Sequence, residues 1–117
     1  MSGIAIGYSL GPNATYSYSA SKAAVLHPAR NLAVELGPRH ILANGIVPGF
    51  FPSKMANVLM EKSGRTAALS KASPNQRIGK AEDIAATVVF LCSRAGGHLN
   101  GTTIVLDGGR IWGASRL

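Results

Sequence analysis

Two short apolar runs, residues 41–47 (ILANGIV) and 102–106 (TTIVL), constrain the fold of this 117-residue chain more than any other feature. Each has the length of one strand. Neither alternates apolar with polar residues, which is how strands buried on both faces of a parallel sheet read. The stretch between them contains a helical segment at about residues 82–93, opened by Glu82 and Asp83, whose charges favour the positive end of a helix. Two strands joined through a crossover helix or two form a parallel βαβ unit. The expected class is therefore α/β.

Ahead of the first strand, residues 16–36 (YSYSASKAAVLHPARNLAVEL) carry helical periodicity. Ala23, Ala24, Leu26, Ala33, Val34 and Leu36 are good helix residues, with an apolar surface broad enough to bury on more than one side. Gly37 and Pro38 supply a C-cap and a stop. Pro28 is discordant: inside a helix it forfeits a hydrogen bond, clashes with the preceding turn and costs about 3 kcal/mol. A kink near residues 24–28 or a weakened helix is expected. Earlier still, residues 2–10 (SGIAIGYSL) read as the end of a buried strand, and residues 11–15 as a turn with Thr15 able to cap the helix.

Within that helix Tyr18 and Lys22 stand four residues apart, one above the other on the same face. An ammonium one turn from a phenol stabilises the phenolate, which an isolated Tyr with a pKa of about 10 does not readily supply near neutral pH. The pair could act as a proton donor or acceptor at a carbonyl or alcohol. The alternative is a core Tyr with a snorkelling Lys, and spacing alone does not separate the two. Residues 48–55 (PGFFPSKM) leave the carboxyl end of the first strand, the edge at which open α/β sheets bind ligands. Pro48 and Gly49 can turn the chain tightly enough to bring backbone groups against a planar ring, and Ser53 could equally cap a following helix.

Composition removes several function classes. The net charge of +7 invites a nucleic-acid reading, but Lys and Arg occur singly, without basic runs, interleaved aromatics or a Cys/His finger. Five carboxylates are few, as they would be if an acid-richer portion belonged with this one. The lone Cys92 excludes an intrachain disulfide. No basic and apolar leader or long apolar span is present, so a cytoplasmic, non-membrane protein is expected. His27, His40 and His98 lack metal-ligand spacing and there is no G-x-S-x-G elbow, so neither a metal site nor a hydrolase is expected.

The run Tyr18-Ser19-Ala20-Ser21-Lys22-Ala23-Ala24 resembles the active-site helix of the short-chain dehydrogenase/reductase family. Asn44-Gly45-Ile46-Val47-Pro48-Gly49, Arg77-Ile78-Gly79, Glu82-Asp83-Ile84-Ala85 and Asp107-Gly108-Gly109 resemble its later landmarks, in order. The phrasing is nearest to 3-oxoacyl-carrier-protein and rhamnolipid-pathway reductases. The resemblance implies hydride transfer between NAD(P) and a small carbonyl, such as a 3-oxoacyl group, or a secondary alcohol. It implies Tyr18, Lys22 and Ser2 as catalytic residues, Ser2 polarising the substrate oxygen. Tyr18, Lys22, Pro48, Gly49, Phe50 and Ser53 would contact the cofactor, NADP being slightly preferred to NAD. Residues 50–76 would form a substrate lid, and the parent protein would be a homodimer or homotetramer.

One element of that family is missing from these residues. No G-x-G-x-x-G phosphate loop lies between a strand and a helix, and no acidic ribose partner can be placed after one. Residues 1–117 are therefore expected to be a single incomplete domain. It would be the carboxyl-terminal portion of a Rossmann-like, doubly wound parallel sheet without its dinucleotide-binding half, arising as a truncated gene model, a fragment or a decayed paralogue. Cofactor binding by such a piece would be poor and turnover slight. The other class of reading is a non-catalytic module derived from the same family, used for interaction or dimerisation.

Overall fold

The computed structural model describes residues 16–53 and 65–113. In order these form α1 (Tyr16–Leu36), a 3₁₀ turn (Gly37–Arg39), β1 (Gly45–Pro48), α2 (Arg65–Lys71), α3 (Ala81–Cys92), a 3₁₀ turn (Arg94–Gly96), β2 (Thr103–Leu106) and the single turn α4 (Arg110–Gly113). β1 and β2 pair in parallel, from Gly45 opposite Thr103 to Pro48 opposite Leu106. The result is an open two-stranded parallel sheet with flanking helices, the arrangement of the carboxyl portion of a Rossmann-like fold. The strand expected at residues 2–10, the turn with Thr15, and residues 54–64 of the expected lid lie outside the described residues.

β1 is shorter than its apolar run. Residues 41–44 are apolar enough for a strand, yet their backbone groups bond elsewhere. The Ala43 N–H donates to Asn100 Oδ1 at 2.9 Å, while Asn44 spans the gap with Nδ2 donating to the Leu99 carbonyl at 2.7 Å. Asn44 Oδ1 accepts from the Thr102 N–H at 3.1 Å. Below Gly45 two amide side chains thus take over most of the pairing, beside one backbone bond from the Gly101 N–H to the Ala43 carbonyl, because they offer the backbone partners of equal kind. Asn100 does more, donating through Nδ2 to the Ala33 carbonyl at 2.8 Å and so fastening α1 to the base of the sheet.

α1 runs unbroken through Pro28. Both Pro28 and Ala24, whose carbonyl loses its partner, lie on the exposed side, where water can take the forfeited bond. The covered positions on α1 are Ser19, Lys22, Leu26, Ala29, Ala33 and Leu36, a stripe at alternating spacings of three and four. The broader burial expected from sequence is not found among the described residues: Val25, Leu32 and Val34 remain exposed. The helix stops at Leu36, but the left-handed residue that turns the chain is His40 (φ 59°), not Gly37, its N–H bonding the Gly37 carbonyl at 2.9 Å. α3 begins one residue before the expected position, at Ala81. Lys80 has no side-chain acceptor for capping, so Asp83 in the first turn reaches back to accept the Lys80 N–H at 2.8 Å.

Candidate active site

The chain leaves β1 through Pro48 and Gly49, and its position there is fixed from the sheet side. The Gly49 N–H donates to the Leu106 carbonyl at 2.8 Å. A Cβ on Gly49 would lie 2.8 Å from both Cα and Cβ of Asp107, so glycine is required by the closeness of β2. Asp107 itself closes the end of β2: its two carboxylate oxygens accept the N–H groups of Gly109 and Ile111, each at 2.8 Å. Gly108 (φ 66°) and Gly109 (φ 85°) make that turn in the left-handed region.

Beyond the turn, the Phe50 carbonyl accepts the Gly79 N–H at 2.8 Å, and the Phe51 ring rests on the bare Cα of Gly79. The Arg110 guanidinium carbon lies 4.4 Å from the centroid of the Phe50 ring. Phe50, Phe51 and Gly79 border a cleft of about 360 Å³ that also touches Ser73, Asn75, Arg77 and Asp83. Its charged pair is mutually satisfied, Arg77 gripping Asp83 with both terminal nitrogens at 2.7 and 2.9 Å. That hydrogen bonding, with a further bond from the Lys80 N–H, takes the Asp83 carboxyl down to about 2.

On α1, the Lys22 ammonium sits over the face of Tyr18, 5.4 Å from the ring centroid, so the two side chains do share a face. Tyr18 is 37% exposed and open to a ligand at its edge of the helix. The direction of α1 follows from two contacts. Ala33 packs at Gly101, whose N–H bonds the Ala43 carbonyl, and Leu26 packs at Gly45, two residues further along the first strand. Reading α1 backwards therefore climbs the sheet toward its carboxyl edge. Lys22 and Tyr18 lie one and two turns beyond Leu26, the second about 12 Å along the axis, in the direction of the Pro48-Gly49 turn.

Of the residues expected to form a site, Pro48, Gly49 and Phe50 share one turn and Tyr18 and Lys22 one helical face. Ser53 is exposed, and Ser2 lies outside the described residues. Gly79, Asp107 and the Arg77–Asp83 pair were visible as family landmarks, yet nothing in their spacing announced that they grip the strand-end turn. Among the described residues no group of three or more His, Cys, Asp or Glu side chains could hold a metal ion, and no helix is long and apolar enough to cross a membrane.

Residues 2–110 match a family profile described as enoyl-(acyl carrier protein) reductase. Dehydrogenase/reductase SDR family member 4 of Mus musculus is 40% identical over 101 residues, covering 86% of this chain and 34% of its own length. The 5-keto-D-gluconate 5-reductase of Escherichia coli K12 is 38% identical over 102 residues, 87% of this chain and 40% of that enzyme. Among solved structures, the active-site complex of Pseudomonas aeruginosa RhlG with NADP superposes with a TM-score of 0.79 at 36% identity, over 92% of this chain and 43% of RhlG. The chain thus spans less than half the length of each of these relatives.

Proposed function

The chain belongs to the short-chain dehydrogenase/reductase family, and on that premise we propose that it is the proton-transfer and nicotinamide-facing portion of an NAD(P)-dependent oxidoreductase. The observation that carries this reading is the Lys22 ammonium over the Tyr18 ring, on a helix that climbs toward the Pro48-Gly49 edge. In that arrangement Tyr18 exchanges a proton with the substrate oxygen, and Lys22, one turn away on the same face, holds the nicotinamide ribose. Ser2 polarises the same oxygen. Pro48, Gly49 and Phe50 present the ring-binding edge with Ser53 beside it, and the tight packing of Gly49 on Asp107 supplies a firm backbone of the kind a planar ring needs. When bound, the nicotinamide supplies or accepts the hydride.

NADP is preferred to NAD, in keeping with the NADP held by RhlG. The substrate class is a small carbonyl or secondary alcohol, with a 3-oxoacyl group favoured by the Pro-Gly-x-Phe-Pro-Ser-Lys-Met phrasing. Residues 50–76 act as the lid over it, and the active assembly is a cytoplasmic homodimer or homotetramer. The pyrophosphate is a different matter, because the 117 residues carry no glycine-rich loop to receive it. The isolated chain is therefore expected to bind NADP only weakly and to turn over little.

Titration calorimetry with NADP and NAD, paired with turnover assays of the wild type, Tyr18→Phe and Lys22→Ala, tests both halves of the proposal. Micromolar binding by the isolated chain would remove the requirement for a separate phosphate-binding portion. Any turnover should fall by about 10²-fold or more in both variants, the usual scale of general acid–base catalysis. Turnover that survives both substitutions would reject the roles of Tyr18 and Lys22. The exposed Val25, Leu32 and Val34 on α1 favour a second reading, a non-catalytic pairing module, for which no activity is found to lose.

A further inference from the structure

The turn after β1 is held from two sides, and only one of them is the sheet. On the other side stands the loop formed by residues 77–80. Asp83 locks this loop by accepting three donors at once, two from the Arg77 guanidinium and one from the Lys80 N–H. Inside the loop Arg77 also donates to the Ile78 carbonyl at 3.2 Å. Gly79 at its apex gives its N–H to the Phe50 carbonyl, and its missing side chain makes room for the Phe51 ring. A Cβ there would overlap three ring carbons. Gly79 does not occupy the left-handed region, so its demand is for space and not for backbone freedom.

We infer that Gly79 is a positioning residue for the nicotinamide edge: through Phe50 and Phe51 it sets how far the Pro48-Gly49-Phe50 turn stands from the sheet. Gly49 cannot adjust on its own, being pressed against Asp107 and bonded to Leu106. Crowding at Gly79 must therefore be relieved by displacing Phe51, and with it the residues that adjoin the turn. The inference rests on the reading of that turn as a cofactor edge, but its mechanical part can be tested without cofactor.

The experiment measures amide hydrogen exchange by NMR in the 117-residue chain for wild type, Gly79→Ala and Gly79→Ala/Phe51→Leu, with and without millimolar NADP. Gly79→Ala should raise exchange at the Gly49 amide by about tenfold or more while leaving the amides of α3 within about threefold of wild type. The smaller, flexible leucine side chain in place of Phe51 should return the Gly49 amide toward the wild-type rate, a rescue that general loss of stability would not give. If Gly79→Ala does not fold, Asp83→Asn loosens the same loop without adding atoms and should raise exchange at the Gly79 amide and the Gly49 amide together. Unchanged Gly49 exchange in whichever variant folds, or a rise spread evenly over α3 and β2, overturns the inference. NADP should shift the amide signals of Gly49, Phe50, Phe51 and Ser53 in wild type and less in Gly79→Ala. Absence of that shift in wild type would count against the cofactor edge alone, since the exchange result stands by itself.

Discussion

Asp83 shows how much one carboxylate can organise when several donors converge on it. It bonds both arms of Arg77 and the Lys80 N–H that opens α3, and these bonds bring its pKa down to about 2 from the ordinary value of about 3.9. Because the folded value is the lower one, the stabilisation is complete above about pH 4 and is lost as pH falls toward 2. Wild type should therefore unfold at a higher temperature than Asp83→Asn at neutral pH, and the gap between them should close between about pH 4 and pH 2. A gap that stays constant through that window would mean that the carboxylate charge is not what holds the loop. The pair is partly accessible to solvent, so added salt should narrow the neutral-pH gap as well.

At the scale of the element, the strand boundary is set by side chains that do not belong to a strand. Asn100 joins the Ala33 carbonyl at the end of α1 to the Ala43 N–H below β1, bonds that cross 67 and 57 residues of sequence. Asn100→Ala leaves the part-covered Ala33 carbonyl and the exposed Ala43 N–H without that partner. The expected loss is about 0.5–1.5 kcal/mol, the usual net contribution of such a hydrogen bond, read as a lower denaturant midpoint with an unchanged slope. Asn100→Asp keeps the acceptor but not the donor and should fall between wild type and Ala. A midpoint unmoved by Asn100→Ala would show that water or a neighbouring group replaces the latch at no cost.

For the whole molecule, the notable quantity is how little apolar surface the described residues cover. Only Ala33 and Val47 among their apolar side chains are buried, whereas Val34 is 79% and Val89 67% exposed. Faces of this kind on α1 and α3 seek cover, and a half-covered two-stranded sheet gains by finding it. The isolated chain should associate as concentration rises, seen by light scattering on a sizing column. Val34→Lys/Val89→Lys should shift it toward monomer, and a chain that remains monomeric at high concentration without those changes would show that the faces are tolerated in water.

Much of this was legible from the residues. The βαβ unit followed from two apolar runs and the helical stretch between them, and the sharing of a face by Tyr18 and Lys22 followed from a spacing of four. These are consequences of local periodicity, which each segment carries within itself. The shortening of β1, the transfer of the reversal from Gly37 to His40, and the gripping of Phe51 by Gly79 were not legible. The first and the last depend on which distant group arrives at a given backbone atom, an amide from residue 100 and a ring from residue 51, and the reversal at His40 on a backbone bond to Gly37 that periodicity does not report. Periodicity fixes the face that a residue presents, but only the packed chain decides what stands opposite it.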